Sequence, residues 1–323
     1  MIFYSASVIM LVGCSFDTER DNPLDPKSDD YSFNGSVRGY LTMLDMETPI
    51  KGALISLLPI SECALSEEDG YYEINGLPDG NYTYEVKHPQ YKTVSGVINI
   101  KSYSSKNIDF ALNAHPVFDS VSVTSQTYRI SISGNKYYRV FVYAEITDPD
   151  GVSDLKDLAL LEWNGNLDTL SKVSGTEVYS LELGEESFPD SLIENMLGIN
   201  YFIKAVDIHG DTATSPPAQI ARLIDNDVVP QSPYLTIMEA QTNFIWHVKP
   251  IFWFTNYKYR LQIFTDGEDR LVYEKIVPIH DMYIEYFLFD YFLESDDYYW
   301  VVILEDSYGN FSSSEHREFD VNL

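Results

Sequence analysis

Two stretches of this chain repeat each other without a gap, and that repeat sets the scale of the fold. The run Tyr201-Phe202-Ile203-Lys204-Ala205-Val206-Asp207, with Gly210 and Asp211 after it, aligns with Trp300-Val301-Val302-Ile303-Leu304-Glu305-Asp306, followed by Gly309 and Asn310. The aromatic, aspartate and glycine positions share one offset of about 100 residues, the size of one small β-sandwich. Each copy reads as an aromatic-led strand, an Asp-x-x-Gly turn and a polar run into another strand. A chain of 323 residues has room for two or three such domains.

The rest of the sequence has the same punctuation, short alternating runs between turn residues. Residues 33–113 hold runs at 36–41, 53–58, 71–74, 82–87, 94–100 and 107–112. Residues 115–226 hold 120–124, 128–132, 138–147, 158–163, 178–183 and 220–223, with Phe188 to Leu197 read as a short helix or an irregular crossover. Residues 230–323 hold 234–238, 251–254, 259–265, 271–276, 298–305 and 318–321. Alternation over four to eight residues is the signature of a half-buried strand. The aromatic content of 14% suits pleated surfaces. These patterns predict an all-β chain of three tandem β-sandwich domains at 33–113, 115–226 and 230–323.

Charge removes one class of function. Fifty acidic against 21 basic residues give a formal net charge of −29, which repels phosphate backbones and argues against nucleic-acid binding. The two cysteines, Cys14 and Cys63, form neither a disulfide framework nor a zinc motif. Cys63 reads as a small buried or edge residue.

Residues 1–13 carry no charge and include Val8-Ile9-Met10-Leu11-Val12, too short a stretch to span a bilayer with ease. They end in Leu11-Val12-Gly13-Cys14, which resembles the lipobox of bacterial lipoprotein signal peptides. The resemblance implies cleavage before Cys14 and acylation of that residue, so that the lipid holds the protein on a membrane. The positive segment that normally opens such peptides is missing, since no Lys or Arg precedes Arg20. Residues 14–32 are acidic and broken by Pro23 and Pro26, as an extended tether would be. Ser15 after the cysteine gives no inner-membrane retention signal under the enterobacterial pattern. The expected location is therefore the bacterial cell envelope, outer membrane before inner.

Within 33–113, Asp69-Gly70-Tyr71-Tyr72-Glu73-Ile74 and then Gly76-Leu77-Pro78-Asp79-Gly80-Asn81-Tyr82 resemble the carboxypeptidase regulatory-like, or transthyretin-like, domain. Gly35-Ser36-Val37-Arg38-Gly39 and Pro49-Ile50-Lys51-Gly52-Ala53 fit the same pattern. The resemblance implies a Greek-key sandwich that acts as an appended folding or interaction module, not as a peptidase. Asp-Gly supplies a turn with positive φ, and Leu77 plugs the core between two turns. The repeated hairpins at 201 and 300, with Ile251 to Phe254 and Tyr259 to Ile263, resemble immunoglobulin-like and fibronectin type III domains.

Two candidate sites stand out. Asp148-Pro149-Asp150-Gly151-Val152-Ser153-Asp154 offers carboxylates from Asp148, Asp150 and Asp154 on a tight turn, as Ca²⁺ binding requires. The competing reading is that such a turn needs Asp and Gly for its shape, and no cofactor is then implied. Trp163, Trp246 and Trp253 could form a saccharide-stacking platform, with core packing as the simpler alternative. Trp163 precedes the turn Asn164-Gly165 and is read as partly exposed. The six histidines are scattered, and neither Gly-x-Ser-x-Gly nor a Gly-rich phosphate loop occurs. The expectation is a non-catalytic, lipid-anchored envelope protein that meets a protein or glycan partner. The alternatives are a glycan-binding accessory protein and an envelope hydrolase.

Overall fold

The computed structural model describes residues 34–129, 135–220, 222–225, 228–235, 242–248, 257–278, 284–289 and 293–321. The chain divides between Ala114 and His115 into two compact units. Among the described residues it is all-β, with strands and a few single 3₁₀ turns.

The first unit holds β1 (Gly35–Met43), β2 (Leu54–Leu58), β3 (Glu62–Leu65), β4 (Tyr71–Leu77), β5 (Gly80–His88), β6 (Tyr91–Ile100), β7 (Ser105–Asn107) and β8 (Phe110–Leu112). Alternation in β1 turns Val37, Leu41 and Met43 inward and Arg38 and Tyr40 outward. β1 pairs antiparallel with β4 and, on its other side, parallel with β7 and then β8. β3, β2, β5 and β6 form the second sheet in that order. One apolar cluster draws on both sheets, including Leu41, Ile55, Leu57, Tyr72, Val86 and Leu112. Leu77 is fully buried in it, the plug that the two flanking turns predict. Gly39 must be glycine here, since an added Cβ would collide with the Ile108 carbonyl oxygen at 1.8 Å. Cys63 is exposed on the edge strand β3.

The second unit holds β9 (Val117–Arg129), β10 (Lys136–Thr147), β11 (Leu158–Trp163), β12 (Asn166–Lys172), β13 (Val178–Gly184), β14 (Tyr201–Val206) and β15 (Thr212–Thr214). They are followed by β16 (Val228–Ser232), β17 (Thr242–Val248), β18 (Tyr257–Thr265), β19 (Leu271–Pro278), β20 (Ile284–Phe289), β21 (Asp296–Asp306), β22 (Phe311–Ser313) and β23 (Arg317–Val321). Two apolar cores form. One gathers Val142, Leu161, Trp163, Tyr179, Met196 and Tyr201 among others, and the second includes Phe244, Trp246, Leu261, Phe289, Trp300 and Phe319. The segment between β13 and β14 is a chain of 3₁₀ turns at Glu185–Ser187, Pro189–Ser191 and Ile193–Met196. It is the crossover, and it inserts Phe188, Ile193 and Met196 into the first of these cores.

The repeat seen in the sequence is a repeat in three dimensions. In both hairpins the leading aromatic, Tyr201 or Trp300, is fully buried. Asp207 accepts the Asp211 amide on its side chain, as Asp306 accepts that of Asn310. Gly210 and Gly309 take φ of +78° and +87° to close the turn. The Ser215 hydroxyl accepts the Ile203 amide, and the Ser314 hydroxyl accepts that of Val302, each at 2.9 Å.

The two cores do not have two separate sheets. One sheet runs β15-β14-β11-β12-β13-β10-β9-β22-β21-β18-β19, with β23 also on β21, while β16, β17 and β20 form a smaller one. The join is the parallel pairing of β22 with β9, Phe311 opposite Gln126 and Ser312 opposite Thr127. Buried side chains stitch it. The Asn310 side-chain oxygen accepts from the Ser125 amide at 2.9 Å, and its amide nitrogen donates to Asp306 at 3.0 Å. The hydroxyls of Ser125 and Thr127 donate to the carbonyls of Arg222 and Ile224 at 3.0 and 2.8 Å. Buried polar groups are tolerated when partnered in this way, and the resulting network fixes one register.

Candidate functional site

The Asp148 to Asp154 loop follows β10, and its shape is set by its own residues. The Asp150 amide donates to the Asp148 carboxylate at 3.0 Å and the Gly151 amide to the Asp148 carbonyl at 2.9 Å, a turn that Asp favours. Gly151, at φ 118°, leads into a 3₁₀ turn over Val152–Asp154. The loop is then pinned to the β14–β15 hairpin. The Ile208 amide donates to the Asp154 carbonyl at 2.7 Å, the Lys156 amide donates to the Val206 carbonyl at 3.1 Å, and Leu155 bridges to Asp207.

This docking brings Asp148, Asp154 and Asp207 together. Each offers a carboxylate oxygen, and these oxygens all lie within 4.8 Å of one another. The residues are 7%, 5% and 0% exposed. Burial pushes the Asp148 carboxyl up to about 6; the Asp150 backbone amide opposes that shift, and the charges of Asp154, Asp150 and Asp207 add to it. Asp148 Oδ2 receives no hydrogen bond. At the rim, His209 Nε2 lies 3.2 Å from Asp154 Oδ1, and His115 Nδ1 lies 2.5 Å from Asp211 Oδ2. The chemistry on offer is a set of hard oxygen donors with an imidazole beside them, suited to a hard cation.

The structure therefore assembles two of the three predicted carboxylates, and the third ligand comes from elsewhere. Asp150 lies outside the cluster, contributing its amide to Asp148. Asp207 is 53 residues beyond Asp154 by residue number, and its signal in the sequence was its place in the repeated Asp-x-x-Gly turn.

The saccharide-stacking expectation fails for both tryptophans that can be placed. Trp163 is 2% exposed, donates from Nε1 to Asp168 at 2.8 Å and stacks on Tyr201 with centroids 6.0 Å apart. Trp246 is fully buried, edge-on to Tyr259. Both sit at inward positions of alternating strands, so neither ring presents a face to solvent. Trp253 and Cys14 lie outside the described residues. An open groove of about 850 Å³ lined by Val152, Leu158, Lys172, Ser174 and Glu177 lies near the loop, but the three buried aspartates are not in its walls.

The architecture is that of modular β-sandwich proteins, and residues 36–113 match the model of the carboxypeptidase regulatory-like domain. The match lies within the first unit and spans its described strands almost completely. Among solved structures, the chain is similar to a candidate carbohydrate binding protein from Bacteroides uniformis at 11% identity and a TM-score of 0.24, over 57% of this chain and 96% of that one. It is similar to a tetra-tandem repeat in the extending region of a large adhesion protein at 13% identity and 0.24, over 90% and 74%. For the FN1-FN3 domains of chicken CNTN1 the values are 11% and 0.27, over 85% and 90%. Scores this low add nothing to what the strand order already gives. No curated protein matches the chain.

Proposed function

We propose that this chain is a non-catalytic, lipid-anchored protein of the bacterial cell envelope whose β-sandwich units hold a binding surface away from the membrane. The observation that carries this reading is the single sheet through both cores of the second unit, closed by a buried and partnered polar network at β9 and β22. A sheet continuous across two cores resists bending at their junction, as a spacer requires. The Leu11-Val12-Gly13-Cys14 sequence and the acidic, proline-broken stretch after it supply the anchor and the tether. Mass spectrometry of the mature N-terminus tests the anchor. Acylated Cys14 is the expected species, globomycin should block its formation, and Cys14→Ala should release the protein from the membrane fraction. An unmodified Cys14 would end the reading.

A glycan partner is the second reading, and one site in the first unit favours it. Tyr40 is half exposed and meets Tyr71 edge-to-face at 5.5 Å, beside Arg38, Asn107 and Asp109 around a groove of about 330 Å³. An aromatic face next to polar groups suits a sugar ring. If this groove is the site, Tyr40→Ala should abolish retention in polysaccharide affinity gels without lowering the melting temperature.

A further inference from the structure

The two repeated hairpins place an aspartate at the same position and surround it differently. Asp306 is 2% exposed and lies beside a cation, with Arg222 Nε 3.3 Å from its Oδ2, and the Asn310 amide nitrogen donates to the same oxygen. Asp207, its counterpart, shares its surroundings with the carboxylates of Asp148 and Asp154. Three buried carboxylates this close carry up to three negative charges, of which His209 beside Asp154 offsets at most one.

Asp148 Oδ2 is buried with no hydrogen-bond donor beside it, on a residue only 7% exposed. A buried carboxylate oxygen without a donor, on a residue clustered with two further carboxylates, is the arrangement that a metal ion completes. The spacing also fits. Ligands on opposite sides of one Ca²⁺ are about 4.6–5.2 Å apart, given Ca–O distances of 2.3–2.6 Å. The backbone bonds from Ile208 and Lys156 fix the two loops against each other before any ion arrives.

We infer that Asp148, Asp154 and Asp207 form a divalent-cation site, with Ca²⁺ as its ion. The donors are all oxygen, and they come from a turn and a hairpin rather than from an octahedral cage, an irregular geometry that Ca²⁺ accepts and Mg²⁺ resists. The ion joins the loop after β10 to the β14–β15 hairpin, locking one end of that core. His209, at the rim against Asp154, stays outside the coordinating set.

Calorimetric titration of CaCl₂ into the EDTA-treated full chain tests this, together with thermal melting with and without the ion. One ion should bind per chain with a Kd in the range of about 10⁻⁴–10⁻³ M typical of extracellular modules, or tighter, and raise the melting temperature. Asp148→Asn should weaken binding at least tenfold and remove the Ca²⁺-dependent shift, and Asp154→Asn serves if that variant does not fold. His209→Ala should keep both signals. The site is refuted if wild type shows neither heat nor shift at 10 mM Ca²⁺, or if the aspartate variants respond as wild type does. Equal affinity for Mg²⁺ would overturn the choice of ion, as loss of binding in His209→Ala would overturn the ligand set. None of these outcomes bears on the acylation of Cys14.

Discussion

Asn310 accepts the backbone amide of Ser125 on its side-chain oxygen at 2.9 Å, across 185 residues of sequence. The same carboxamide donates to Asp306, which Arg222 approaches from the linker between the two cores. One side chain thus ties the first strand of one core to the hairpin of the next, and Asp306 extends the link to the segment between them.

Asn310→Ala should lower stability by about 2–4 kcal/mol, because the buried Ser125 amide and Asp306 carboxylate lose a partner where water does not reach. Urea unfolding reads the loss. Hydrogen exchange should show β9 and β22 opening first, and protection there equal to wild type would contradict the seam.

The tryptophans give a direct test of burial. In a Trp253→Phe protein the remaining indoles, Trp163, Trp246 and Trp300, are at most 2% exposed. Iodide should then quench hardly any of the emission until denaturant is added. Strong quenching of the native variant would return one of these rings to the surface.

Turn glycines should separate by what surrounds them. Gly70, at φ +80°, would place a Cβ 2.4 Å from the Leu41 carbonyl oxygen, whereas Gly52, at φ +79°, has open space. Gly52→Ala should cost about 1 kcal/mol for the backbone conformation alone. Gly70→Ala adds a main-chain collision and should cost clearly more, about 2–4 kcal/mol. Calorimetric melting of the full chain ranks the two, and equal values would refute the contrast.

Alkali should unfold the protein through its phenols. Burial first, then nearby carboxylates, push Tyr138, Tyr179 and Tyr299 up to about 12, with Asp225, Asp157 and Asp269 as the respective neighbours. A folded pKa above the unfolded value of 10 means that the native state holds these protons more tightly. Their contribution is complete below pH 10 and is lost as pH rises from about 10 towards 12. Phenolate absorbance should therefore rise in two stages, the second coinciding with loss of the β-sheet circular dichroism signal.

Local chemistry was legible in the sequence, and long-range pairing was not. The Asn164-Gly165 hairpin forms where the dipeptide predicts it, with Trp163 opposite Asn166. The step from turn to exposed tryptophan failed because strand phase, not distance from the turn, decides the face. Ala159, Leu161 and Trp163 alternate inward together. Asp148 and Asp154 share one short motif and could be picked as a pair. Asp207 joins them only because the hairpin folds onto the loop, a contact that no spacing encodes. The join of β22 to β9 is a pairing of two residues on each strand between distant segments, with no periodicity to betray it.

That join has a practical consequence for anyone cutting the gene into fragments. A fragment stopped near residue 226 would strip β9 of its neighbour β22 and leave an open edge ready to capture another chain. Expression boundaries belong at Ala114 and His115, with everything after them kept whole.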